Sequence, residues 1–210
     1  MSPECHFYTE NPEKQTGCQW LQVLNIISGQ QGILPPLTTG LSSKEGQVLY
    51  FSFGSNMSEK RLLQRIKAEK IGVAVLNRHL LRFHKPSSLD GSAKCDIQET
   101  GQPEDFVLGV LYDIEESQKS ILDEIEGLGS GYDLKTVSVT IDGHQVNACT
   151  YYATTINSKL KPYHWYKRHV LEGAIENGMP EDYIKSIQAV ESVTDKDDAR
   201  RQKELSIYQR

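Results

Sequence analysis

Residues 133–141 alternate apolar and polar positions, Asp142-Gly143 follows, and a second strand-like run extends over residues 146–153. Asp-Gly between two such runs is a strong hairpin signal, because both central positions of the tightest hairpin turn need positive φ. A hairpin commits this part of the chain to antiparallel pairing, and the rest supplies partners. Residues 48–53 form an apolar run of strand length, residues 71–83 read as extended, residues 94–99 as a short strand and residues 106–112 as a buried one. Helical patterns fall over residues 58–67, 115–126 and 163–177, the last closing on Gly178, and Pro180 opens a further helix through residue 190. With no internal repeat, this mixture of hairpins and helices predicts an α+β domain whose sheet is largely antiparallel or barrel-like.

A chain of 210 residues fits one domain with an ordered appendage at most. Residues 1–46 are rich in Pro, Gly, Ser, Thr and Gln and read as an extension of unknown role, with one short helix near residues 19–27. Residues 47–194 form the expected domain, and residues 195–210 a charged, loosely attached C-terminal tail. The net charge is -5 with scattered basic residues, which offers no footprint for a nucleic-acid backbone. Residues 60–70 are locally basic, but Leu62, Leu63 and Ile66 recur at helical spacing, so the segment reads as a solvated helix face and is set aside as a site. Cys5, Cys18, Cys95 and Cys149 are too dispersed for a metal knuckle or a disulfide scaffold, so reduced thiols are expected. No apolar run approaches the roughly 20 residues of a membrane span. Glu4, Glu10 and Glu13 argue against a secretory leader, which makes the cytoplasm the expected compartment.

Two places carry chemical interest. The strand ending in Phe53-Gly54-Ser55-Asn56 before a helix presents successive backbone N–H groups that can hold a carboxylate. Taken alone, helix capping by Ser55 or Asn56 accounts for the turn better than ligand binding. The required Gly-Lys-Ser/Thr end of a phosphate loop is missing, and residues 127–131 lack a dinucleotide fingerprint. The second place is the end of the helix over residues 115–126. Its apolar stripe is read as Ile114, Ile121, Leu122 and Ile125, with Asp123 pointing away and Glu124 and Glu126 flanking the edges. Glu126 stands at the negative end of the helix dipole, where a carboxylate is disfavoured and its proton affinity is expected to rise. Such a residue is either an ordinary solvated carboxylate or a base suited to proton transfer near neutral pH. The histidines show no paired metal spacing, and no nucleophile elbow is present.

The segment Tyr50-Phe51-Ser52-Phe53-Gly54-Ser55-Asn56-Met57 resembles the Y-F-x-Y-G-S-N motif of the γ-glutamylcyclotransferase family. The resemblance continues through Phe83-His84-Lys85, Asp90-Gly91-Ser92-Ala93-Lys94 and Leu122-Asp123-Glu124-Ile125-Glu126-Gly127. It ends with Tyr166 and the run from Gly173 to Tyr183, so that it spans most of residues 48–190. It implies a small mixed β-barrel with flanking helices, with no cofactor and no metal. It also implies a γ-glutamyl small molecule as substrate and a homodimer, with neither nucleic acid nor membrane as partner. By this similarity Glu126 matches the catalytic glutamate. Tyr50, Phe51, Ser52, Phe53, Gly54, Ser55 and Asn56 match the substrate loop, and Tyr132, Tyr152 and Tyr166 match pocket residues. The implied reaction closes a γ-glutamyl amino acid or peptide to 5-oxoproline and a free amine. Phe53 stands where the family has Tyr and Ser52 where it has Ala, so a hydroxyl is lost at one position and gained at its neighbour. Two alternatives stay open: turnover of another γ-glutamyl amine or natural product, and a non-catalytic ligand-binding member of the fold.

Overall fold

Five strands close into a barrel in the order β1 (Gln47–Ser52), β5 (Phe106–Glu115), β2 (Glu69–Asn77), β6 (Tyr132–Ile141) and β7 (His144–Ala153). Neighbours around the barrel run antiparallel except where β1 meets β7 in parallel at Tyr50 and Cys149, the contact that completes the ring. This computed structural model describes residues 46–209. The short helix expected near residues 19–27 and the thiols of Cys5 and Cys18 lie outside the described residues. The expected hairpin is β6–β7, with Asp142 at φ 49° and Gly143 at φ 78°, as its two-residue turn requires.

The run over residues 71–83 is two strands rather than one. Arg78 turns the chain at φ 61°, its N–H donating to the Asp105 carbonyl and its own carbonyl accepting from Thr100 N–H. No Gly or Pro stands at this reversal, and Asn77 alone precedes the turning residue, which is why the pattern reads as continuous. Beyond it, β3 (His79–Pro86) leaves the barrel and pairs with β4 (Ala93–Glu99) as a separate two-stranded sheet.

The barrel core is dominated by β5, where Leu108, Val110, Leu111 and Tyr112 are buried. The fully buried Phe51 of β1 lies flat across Gly109, where a Cβ would come within 2.5 Å of its ring. Helices flank the barrel: α1 (Glu59–Leu62), α2 (Glu116–Glu126), α3 (His164–Glu176), α4 (Glu181–Ala189) and α5 (Asp198–Leu205). The turn after β1 is gripped from two sides. Gly173 of α3 sits so close that a Cβ would lie 2.6 Å from both Met57 Cβ and Ser58 N. The Met57 carbonyl accepts from Tyr112 Oη at 3.2 Å and from Asn177 Nδ2 at 3.1 Å. Among the described residues, no helix is long and apolar enough to cross a membrane.

The charged C-terminal segment is bonded to the domain, contrary to the loose attachment inferred from its composition. Asp195, 1% exposed, accepts from Trp165 Nε1 at 2.8 Å and from Arg200 Nε and Nη2 at 2.6 Å. Glu204 of α5 accepts from Arg61 Nη1 at 2.7 Å. Beside them His169 is fully buried, with Nε2 3.0 Å from Arg61 Nη1 and Nδ1 2.8 Å from Tyr208 Oη. His169 Nε2 also lies 3.1 Å from Glu204 Oε2, so one ring nitrogen meets both the guanidinium and the carboxylate while the other meets the phenol. Apart from Arg200, the partners lie 30 residues or more away in sequence, so local composition carries no sign of them.

Two outcomes follow from this packing. Gly173→Ala forces Cβ into the turn after β1 and is expected to cost about 1–3 kcal/mol, as overpacking does, seen as a lower thermal midpoint. Burial also holds the His169 pKa down, from 6.5 to about 4. The unfolded chain therefore binds more protons than the folded one across that window, and stability is lost as pH falls through it. Urea midpoints measured from pH 7 to pH 4 should decline, and His169→Gln should flatten the decline.

Candidate active site

Helix α2 ends on Gly127, whose φ of 69° lets its N–H and that of Leu128 bond the carbonyls of Glu124 and Asp123. The stripe inferred from hydropathy is rotated in the structure. Ile121 and Ile125 are each 42% exposed, and the face turned to the barrel is Leu122, Asp123 and Glu126. Leu122 is fully buried and anchors the helix. Asp123, expected to point away, accepts from Tyr151 Oη at 2.5 Å and from Lys119 Nζ at 2.7 Å. This polar inner seam is invisible to an apolar count, yet it aims Glu126 inward and leaves Glu124 exposed.

Across from α2, β1 ends at Ser52 and the chain turns through Gly54 into a single 3-10 turn, Ser55–Met57. The helix expected over residues 58–67 is only the four-residue α1, so its dipole adds little at this point. Neither helical start carries a side-chain cap. Asn56 instead donates from Nδ2 to Glu126 Oε1 at 2.9 Å and to Tyr50 Oη at 3.2 Å. Arg65 Nη1 donates to the same Glu126 oxygen at 3.1 Å and to Asn56 Oδ1 at 3.2 Å. The basic segment 60–70, set aside from its sequence, thus supplies the cation that faces the candidate base. Only the apolar periodicity of Leu62 and Ile66 was legible there, and Arg65 falls between them. Both donors engage Oε1, so Oε2 is the oxygen left to exchange a proton.

Between these elements lies a narrow cleft that opens to solvent. Of the residues predicted from sequence, Tyr50, Ser52, Phe53, Gly54, Ser55, Asn56, Glu126, Tyr132 and Tyr166 line it. Phe51 does not, because it packs into the barrel core over Gly109. Tyr152 does not either; its ring faces Lys135 Nζ at 5.5 Å, and its neighbour Tyr151 lines the cleft instead. Alternation along β7 puts adjacent residues on opposite faces, so a one-residue choice decided between them.

Cys95 on β4 is a lining residue that no sequence pattern indicated. Its N–H donates to Tyr166 Oη at 3.0 Å and its carbonyl accepts from Tyr132 Oη at 2.6 Å. Its Cβ lies 3.1 Å from where a Cβ on residue 54 would stand. Gly54 is therefore favoured by close approach and not by its φ of -114°. Burial pushes the Cys95 thiol far up, which keeps it protonated and unreactive. Burial raises Tyr132 and Tyr166, and burial with the nearby Glu126 charge raises Tyr50, so all three remain neutral phenols. Ser52 Oγ is buried at the cleft with no hydrogen-bond partner among the described residues. Among these residues no group of three or more His, Cys, Asp or Glu side chains is placed to hold a metal ion.

The chain is similar to several proteins of known family. Residues 106–187 match the AIG2-like family. Bovine γ-glutamylcyclotransferase is 31% identical over 159 residues, 72% of this chain and 83% of the relative. The mouse γ-glutamylcyclotransferase is 33% identical over 161 residues, 72% of this chain and 84% of the relative. A solved γ-glutamyl cyclotransferase structure superposes with a TM-score of 0.65 at 30% identity, covering 70% of this chain and 89% of the other. The chain belongs to the γ-glutamylcyclotransferase family of enzymes.

Arg65 holds Glu126 and Asn56 together without lining the cleft, which makes it a positioning residue. Hydrogen bonds to charged groups contribute about 1.5–3 kcal/mol, so Arg65→Met should lower kcat about 10- to 100-fold with a smaller change in KM. Partial recovery of kcat in Arg65→Lys, measured on the same substrate, would separate positioning from bulk packing.

Proposed function

We propose that this chain converts a γ-glutamyl amino acid to 5-oxoproline and a free amino acid by intramolecular aminolysis. The observation that carries this reading is the Glu126 carboxylate facing the Gly54–Asn56 segment across a cleft, tied to it by the 2.9 Å bond from Asn56. The substrate's α-carboxylate fits the main-chain N–H groups of residues 54–56, which places its α-nitrogen toward Glu126. Glu126 takes a proton from the α-ammonium through Oε2. The free amine attacks the γ-carbonyl carbon, closing the five-membered ring and moving the carbonyl electrons onto oxygen. Glu126 returns that proton to the amide nitrogen, the carbonyl re-forms and the bond to the leaving amine breaks; the ring nitrogen gives up its second proton through the same carboxylate to the departing amine, which leaves as an ammonium. One carboxylate thus acts first as base and then as acid, while the loop holds the two ends of the substrate within reach.

Two further features support the reading. The Ser52 hydroxyl is buried at the cleft beside Tyr50, within reach of a ligand there. The neutral phenols of Tyr50, Tyr132 and Tyr166 add walls without a competing negative charge. The free thiols of Cys95 and Cys149 suit a reducing compartment, and the cytoplasm is the proposed location.

Release of 5-oxoproline from γ-glutamyl-L-alanine, followed by mass spectrometry, is the test. Glu126→Gln keeps the shape and the Asn56 contact but cannot relay the proton. Its rate should fall about 10²- to 10⁴-fold while the thermal midpoint stays near that of the parent. Turnover by the variant at the parental rate would overturn the assignment.

A further inference from the structure

Lys85 of β3 is 8% exposed, and among the described residues no carboxylate lies within ion-pair distance of its ammonium. The lysine opposite it in register, Lys94 of β4, shows what the fold ordinarily provides. Lys94 Nζ donates to Asp90 Oδ2 at 2.7 Å and to Ser92 Oγ at 2.8 Å. Lys85 has neither. A register shift between Phe83 and Lys85 re-aims its side chain, as bulges do. Its Nζ stands 4.5 Å from the centroid of the Tyr132 ring, a wall of the cleft. The chain beside it is Gly131, where a Cβ would come within 3.0 Å of Lys85 Cε and 3.1 Å of Nζ. The glycine at the end of the turn after Glu126 thereby makes room for this ammonium. Burying a cation without a counter-ion is costly, and burial does lower the proton affinity of Lys85, with Glu126 as the leading charge that opposes the loss. The cation and the candidate base thus share one electrostatic neighbourhood without bonding each other.

We propose that Lys85 is the counter-ion for the carboxylate of the departing amino acid, so that the cleft selects γ-glutamyl compounds whose leaving group carries that carboxylate. The inference rests on the reading of Glu126 and the Gly54 loop given above. In such a substrate the leaving nitrogen faces Glu126, and the carboxylate follows one carbon further on, beyond the reach of the loop that holds the glutamyl end. A γ-glutamyl amine without that carboxylate would leave Lys85 unpaired. The ammonium takes no part in bond making; it binds and orients the leaving group.

The test compares γ-glutamyl-L-alanine with γ-glutamyl-L-alaninamide, identical except for the charge at the far end. The parent enzyme should favour the carboxylate compound, and Lys85→Met should lower kcat/KM on it about 10- to 100-fold, the range of a charge-assisted bond. The same variant should change the amide by less than about 3-fold, since that substrate offers no anion to pair. The ratio of the two values within one preparation does not depend on the fraction folded. Lys85→Gln provides a second polar variant, and the parent's own selectivity stands without either. An equal loss on both compounds, or a parent that favours the amide, overturns the role of Lys85 alone. A parent that releases 5-oxoproline from neither compound overturns the proposed function itself.

Discussion

The contact of Asn56 and Arg65 with one oxygen of Glu126 joins segments 61 to 70 residues apart, and most of the fold is arranged so that it can form. One end hangs from β1 and the turn behind it; the other from the last residue of α2. Neither end is held by the bond alone. Gly173 and Asn177 press the turn from one side and Tyr112 braces it from the barrel. On the opposite wall, Leu122 and the Asp123–Tyr151 bond fix the rotation of α2. A charge–dipole contact of this sort is worth little if its partners wander, and much if packing has already removed their freedom.

The scaffold also explains how the C-terminal helix bears on the site. Arg61 of α1 and Arg65 in the turn after it are four residues apart, with Arg61 taken up by Glu204 and His169, and Arg65 by Glu126 and Asn56. Two like charges at this spacing repel each other, and each is neutralised by a different part of the protein. Glu204 is held down to about 2 by His169 and Arg61, so it remains an anion throughout the physiological range. Helix α5 thus keeps the first arginine occupied and leaves the second to the cleft.

Much of the barrel was legible because its signals are local. The Asp142-Gly143 turn, the alternation on either side of it and the glycine stop after Glu126 each follow from backbone sterics over a few residues. The elements that misled were those decided by distant partners. Arg78 turns without a glycine because Asp105 and Thr100 hold its main chain. α2 is rotated from its hydropathic stripe because Tyr151 and Lys119 satisfy a carboxylate on the inner face. In the site, the loop and Glu126 were found through a motif, whereas Arg65, Tyr151 and Cys95 were not. Arg65 looked like one more exposed charge on a basic helix, Tyr151 differs from Tyr152 only by strand parity, and Cys95 enters through a strand pairing outside the barrel.

The parallel contact between β1 and β7 has a consequence beyond the architecture of the site. Every strand of the ring has a neighbour on both sides, with β1–β7 and β2–β6 each meeting at one registered pair, so the barrel offers less free edge than an open sheet on which another chain can grow. The β3–β4 ribbon lies outside that ring, and there the half-buried Arg82 interrupts the apolar positions. Charges of that kind are a known guard against edge-to-edge association. Closing the sheet therefore protects the chain from aggregation as well as shaping its cleft.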